Sequence, residues 1–378
     1  PTTCASRVLR DWRPDSSATV VERLEAAGAI LLGKLNLTEF AMAWYHPELP
    51  APLNPWDPAV WPGASSSGSG VATAAGLCFA SIGSDTGGSI RFPSAACGIV
   101  GLKPTWGRVS RHGVFPLGES LDHIGPMTRS VGDAALMLGV IAGRDPHDET
   151  SLSAPVDDYQ AALSAGVSGL RVGLDESYLA AASPEVAGAV VSAARVLERL
   201  GARVVKVAIP DVGPGIAAWT TLCSADAAAG HEQTYPARAS EYGPGFRSFL
   251  EIGAEVRGQD YAKAHQVRER FANQLQMMFD QVDVFACPSM FAASLPATAM
   301  PPDARALTSG GTNSLVYFTA PFNLSRNPTL SLPCGQSPTG PPPSLQLVAR
   351  HLGEATLIRA GAAYERATDW HQQRPPSR

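Results

Sequence analysis

Residues 63–104 read GASSSGSGVATAAGLCFASIGSDTGGSIRFPSAACGIVGLKP. Two short turns rich in serine and glycine, GASSSGSG (63–70) and SDTGGS (84–89), bracket the apolar run VATAAGLCFASIG. Small residues let backbone and side chains come close to another group. A hydroxyl set among bare amide N–H groups is the layout that a serine nucleophile and its oxyanion-binding donors need. A flexible linker fits poorly, because each turn is short and abuts apolar sequence. A phosphate cradle also fits poorly: no Gly-Lys-Ser/Thr follows either turn, and GxGxxG is absent. A tight structural turn would account for either one alone, but the pair favours a nucleophile site.

Around this stretch the pattern is that of an α/β protein. VATAAGLCF reads as a helix of small residues whose N-terminus directs amides toward Ser65 and Ser66. ASIGSD reads as a short strand entering the second turn. Asp85 reads as structural. Arg91 reads as internally paired, since buried arginines have partners. His112 and His123 read as structural, because no GxSxG accompanies them.

Toward the N-terminus, residues 14–27 suggest a helix with Val20, Val21 and Leu24 on one face. Gly28 ends it, and AILLG (29–33) then reads as a buried strand. The Pro/Trp-rich residues 46–62 read as a loop that Trp56 and Trp61 pack. Toward the C-terminus, 129–142 reads as an amphipathic helix. GLRVGL (169–174), SPEVAGAVVSAARVLERLG (183–201) and ARVVKVAI (202–209) alternate strand, helix and strand. That alternation predicts a large mixed sheet with a mostly parallel core, flanked by helices. Residues 214–281 read as helical with one break at 235–245. VDVFACPS (282–289), NPTLSLPCG (327–335) and SLQLVAR (344–350) read as strands, and residues 354–370 as the last helix. Residues 290–312 read as irregular and near the mouth of a pocket.

The chain has 378 residues, of which 45 % are hydrophobic and 17 % charged, with a net charge of −5. That is ample material for a core, and the scattered basic residues give no nucleic-acid footprint. Cys4, Cys78, Cys97, Cys223, Cys287 and Cys334 form no CxxC pair. They read as free thiols suited to a reducing, cytoplasmic setting. No His/Cys spacing suggests a metal, and no apolar run is long enough for a membrane span.

The stretch GASSSGSG, GSDTGGSIR (83–91) and GLKPTWGRVS (101–110) resembles, in order and spacing, the signature of the amidase signature enzymes. The resemblance continues through SLDHIGPMTRSVGDAALML (120–138) and returns at NPTLSLPCG. It implies one amidase signature domain over residues 1–378 and a Ser–cis-Ser–Lys triad that hydrolyses a carboxamide C–N bond through an acyl-enzyme. Ser89 stands at the nucleophile position. Ser65 stands at the bridging position on a cis peptide bond, and Ser66 is a supporting hydroxyl. The backbone N–H groups of Thr86, Gly87, Gly88 and Ser89 stand at the oxyanion hole. The resemblance implies a small-molecule amide substrate, no cofactor and no metal, no nucleic-acid or membrane partner, and leaves room for a homodimer.

One triad member has no counterpart. The family lysine lies in a Pro-Val-x-Val-Lys-Asp segment, and the four lysines here, Lys34, Lys103, Lys206 and Lys263, match other positions. The expectation is therefore a chain that lacks the family's N-terminal segment, inactive or nearly so as it stands, with an open slot beside Ser65. Two rivals accompany this reading. One is the A subunit of a tRNA-dependent amidotransferase, whose Asn-Leu-Ala-Arg-Tyr-Asp-Gly-like segment is not matched by residues 224–247. The other is a non-catalytic remnant with a binding role.

Overall fold

A computed structural model describes residues 1–300, 304, 314–337 and 340–376. The expectation for residues 290–312 therefore falls partly outside the described residues. Strands β1 (Ala80–Asp85), β2 (Val100–Lys103), β3 (His123–Thr128), β4 (Arg171–Leu174), β5 (Arg203–Lys206), β6 (Val284–Pro288), β7 (Thr329–Pro333) and β8 (Ser344–Ala349) form one sheet. Its order is β1-β3-β2-β7-β8-β6-β4-β5.

The sheet is mixed and flanked by helices, as the sequence predicts, but its parallel part is smaller than expected. Only β6–β4 and β4–β5 pair in parallel; every other neighbouring pair is antiparallel. The β–α–β reading of residues 169–209 is correct for β4 and β5. It does not extend across the sheet, because β7 and β8 return beside each other through a short connection. Such a connection permits only antiparallel pairing. The two strands nearest the signature, β2 and β3, carry no alternation because both are buried throughout.

Helices cover both faces. On one side lie α4 (Val131–Ile141), α7 (Pro184–Arg199) and α12 (Glu354–Arg366), packed on Val284, Ala286, Leu345 and Leu347. On the other lie α8 (Gly213–Gly230), α9 (Pro244–Ala254), α10 (Gly258–Phe279) and α11 (Ala320–Leu324), packed with Phe285, Cys287 and Val348. Alternate residues of β6 thus enter opposite cores, as the two-residue strand period requires. Helix α1 (Thr19–Ala26) ends before Gly28, which has φ +89°.

AILLG is not a buried strand. Residues 29–33 are exposed, belong to no strand and pair with no described strand. Ile30 is 86 % exposed and Leu32 74 %. The apolar pattern alone does not make a strand, because its backbone N–H and C=O groups also need a partner.

Candidate active site

The two serine turns meet at the end of β1. The first passes into α2 (Ser67–Ala74), which starts inside the serine cluster, earlier than the apolar pattern suggests. The second follows β1 and leads through Ile90 into α3 (Arg91–Cys97). Ser66 links them: its N–H donates to the Ser89 carbonyl at 3.3 Å, and its Oγ bridges the Ser84 N–H and C=O at 3.2 Å each. Ser66 is thus a brace between the turns.

The Ala64–Ser65 peptide bond is cis, at the position the resemblance names. The Ser65 carbonyl accepts from Ser67 N–H at 2.8 Å and Thr38 N–H at 3.2 Å. Its hydroxyl is fully buried and has no hydrogen-bond partner among the described residues. The expected open slot beside Ser65 is therefore not found at this side chain, because the walls close over it. Ser89 is half-buried.

A buried polar network holds the second turn. Asp85 and Arg91 form a fully buried ion pair, with Nη2 to Oδ1 at 2.8 Å and Nε to Oδ2 at 3.0 Å. Burial alone would raise the Asp85 carboxyl, but Arg91, aided by Lys103 and Asn323, holds it well below the usual carboxylate range. Asp85 also accepts from Gly88 N–H at 2.8 Å and Ile90 N–H at 3.1 Å. Arg91 reaches on to the Thr319 carbonyl, Gln346 and Asn323. The structural readings of Asp85 and Arg91 are correct.

Of the four expected oxyanion donors, Gly88 is thus committed to Asp85. The N–H groups of Thr86, Gly87 and Ser89 donate to no acceptor among the described residues. The Thr86 hydroxyl bonds the buried Asp122 at 2.5 Å, and burial pushes that carboxyl up to about 6.

No lysine bonds Ser65. Lys34 is exposed and bonds the Thr2 hydroxyl. Lys206 is exposed beside Glu176, and Lys263 lies exposed on α10. Lys103 is fully buried and donates to the Asn327 carbonyl at 2.5 Å and the Pro104 carbonyl at 3.2 Å. Burial and the nearby Arg91 lower its pKa well below the ordinary lysine value.

His123 is buried in β3 with Nδ1 at 2.6 Å from the Leu121 carbonyl, and His112 lies against His147. His112 and His147 flank a cavity of about 280 Å³ that also touches Ser84, Arg111 and Asp122. Neither Ser65 nor Ser89 lines it. Trp56 and Trp61 pack their loop, Trp56 by a 2.9 Å bond to the Cys97 carbonyl and Trp61 by burial against Phe92.

Sequence reasoning missed Trp219, Thr319, Asn323 and Gln346, which arrive from α8, the approach to α11, α11 itself and β8. The one signal for Trp219 is a lone large ring in the small-residue run AAWTTLCSADAAAG.

The paired serine turns lie at the end of a strand in a mixed sheet covered by helices on both faces, and the comparisons give the family. The chain belongs to the amidase signature family: the model described as Amidase matches residues 1–358. It is 46 % identical to the protein named "Putative amidase AmiD" of Mycobacterium tuberculosis, covering 100 % of this chain and 78 % of that one. It is 41 % identical to the A subunit of the glutamyl-tRNA(Gln) amidotransferase of Chloroflexus aurantiacus, covering 99 % of this chain and 81 % of that one. The structure of 6-aminohexanoate cyclic dimer hydrolase in complex with substrate superposes with a TM-score of 0.91 at 29 % identity, over 99 % of this chain and 83 % of that one. No helix of the described residues is long and apolar enough to cross a membrane.

Proposed function

We propose that this chain carries the nucleophile of an amidase that hydrolyses the C–N bond of a small carboxamide through an acyl-enzyme on Ser89. The Ser89 hydroxyl attacks the carbonyl carbon, and its proton leaves through Ser65. The oxyanion is met by the open N–H groups of Thr86, Gly87 and Ser89. The amine departs with the returned proton, and water then frees the acid. One observation carries this reading: the buried Ser65 hydroxyl is left without a partner beside a turn in which the amides of Thr86, Gly87 and Ser89 have no acceptor among the described residues. Most buried hydroxyls in folded proteins are hydrogen-bonded, and a proton relay is a reason to keep one open.

None of the four lysines bonds Ser65. We assign the base to a lysine outside these 378 residues, on a single domain that is completed by such a segment. A general base contributes about 10²–10⁴-fold, so the 378 residues alone should be nearly inactive.

The test compares the 378-residue chain with a version extended upstream through a lysine segment, on simple aliphatic and aromatic amides and with a fluorophosphonate probe. The extended chain should turn over and be labelled, and Ser89→Ala should abolish both. Undiminished labelling of Ser89→Ala would sink the nucleophile, and equal activity in the two lengths would sink the assignment of the base. Ammonia transfer that requires a second protein chain would favour the amidotransferase alternative.

A further inference from the structure

We infer that Trp219 is a positioning residue that aims the Gly87 amide at the oxyanion, an inference that rests on the acyl-enzyme reading of Ser89. The indole Nε1–H donates to the Thr86 carbonyl at 2.7 Å, and Trp219 is 4 % exposed. In a trans peptide the carbonyl and the following N–H point in opposite directions. Among the described residues the cis bonds lie at Ala64–Ser65 and Tyr235–Pro236, so the Thr86–Gly87 peptide is trans. Holding the Thr86 oxygen therefore fixes the direction of the Gly87 N–H, which has no other partner among the described residues.

The ring does a second job. It lies so close to Gly87 that any Cβ there would run into Cζ2 and Cε2 of the indole. Trp219 thus grips one peptide by both its oxygen and its α-carbon. The neighbouring peptides are held by other groups. The Gly87 carbonyl accepts from the Thr319 hydroxyl at 2.5 Å, while Gly88 N–H is taken by Asp85. The Gly88 carbonyl accepts from Phe92 N–H at 2.7 Å, which aims the Ser89 N–H. The Asp85 carbonyl accepts from Asn323 Nδ2 at 2.9 Å, which aims the Thr86 N–H in the same way. Of the three open amides so aimed, the one at Gly87 is oriented by the indole of α8.

The interaction should be worth more in the tetrahedral state than with planar substrate, because charge gathers on the oxygen only there. The cleanest change replaces Trp219, in the full-length active protein, by benzothienylalanine, which keeps the ring shape and exchanges N–H for sulfur. Trp219→Phe is the second variant, and a thermal melt checks that both fold. Losing an oxyanion donor outright costs about 10²–10³ in kcat, so loosening one should cost about tenfold. We expect kcat and fluorophosphonate labelling to fall by that factor with KM unchanged. Affinity for a boronic acid that forms a tetrahedral adduct should fall in step, and affinity for the planar product acid should not. Equal kcat with Trp and its sulfur analogue, or a loss shared equally by planar and tetrahedral ligands, overturns the inference while leaving Ser89 in place. Failure of the unsubstituted full-length protein to label overturns the Ser89 reading and this inference with it.

Discussion

Ser65 holds two atoms of opposite character. Its carbonyl takes two backbone hydrogen bonds, whereas its hydroxyl takes none among the described residues. Removing a partnerless buried hydroxyl costs little stability, because no hydrogen bond is broken and a desolvated polar group is relieved. Ser65→Ala should therefore melt within a few degrees of the parent while kcat of the active full-length protein falls by about 10²–10⁴-fold. A fall of less than tenfold, read from initial rates, would pass the proton to Ser66, Ser67 or water. At this scale the sequence was legible wherever chemistry is local. Ser65, Ser66 and Ser89 stand in two short turns, 63–70 and 84–89, whose pairing marks the stretch even though a tight structural turn would account for either one alone. Trp219 was not legible, since its contact with Thr86 spans 133 positions and no short pattern announces it. Gly88 was legible as part of the turn, but not as an amide already taken by Asp85.

The nucleophile turn is an element held by another element's charge. Arg91, in the first turn of α3, ties β1 to α11 and β8 through Asp85, Asn323, Thr319 and Gln346. A planar fork with five donors can serve four acceptors at once, and a lysine cannot. Arg91→Met leaves the Asp85 carboxylate buried and unpaired, which typically costs about 3–5 kcal/mol. The urea midpoint should fall accordingly, and Arg91→Lys should recover only part of it. An unchanged midpoint in Arg91→Met would mean that the pair is neutral in the fold. Element type was legible where the period is clear: α7, α12 and the β4–α7–β5 unit lie where the pattern puts them. It failed at AILLG, where an ideal apolar run lacks a hydrogen-bonding neighbour. The segment leaves Ile30, Leu31 and Leu32 in water. Strand direction was illegible for a related reason: pairing is a property of two strands, and one βαβ unit says nothing of the rest of the sheet.

Three distant parts of the chain converge on Glu39, which makes its ionisation a property of the whole molecule. The Ser6 hydroxyl donates to Oε1 at 2.6 Å and the Gly243 N–H to Oε2 at 2.8 Å, so the N-terminal segment, the turn at Glu39–Ala41 and the start of α9 share one carboxyl. Burial pushes it up from 4.5 to about 7, against the lowering effect of those two hydrogen bonds. Between those values the folded state holds a proton that the unfolded state has released. The contribution of Glu39 is therefore fully present below pH 4.5 and is lost as pH rises toward 7. Asp122, raised to about 6, and Glu365, raised to about 7, act in the same sense. Nearby His231 acts against them: burial lowers it from 6.5 to about 4, so its share is lost as pH falls through that window. The opposing slopes make the parent's pH profile a poor guide to any one group, and a difference measurement isolates Glu39. Glu39→Gln carries a fixed cost in hydrogen bonding at every pH, but it removes the expense of burying a charge above neutrality. Relative to the parent, the variant should thus be more favourable at about pH 8 than at about pH 5, read as the change in urea midpoint at each pH. The same change at both would show that Glu39 titrates at its ordinary value in the folded chain.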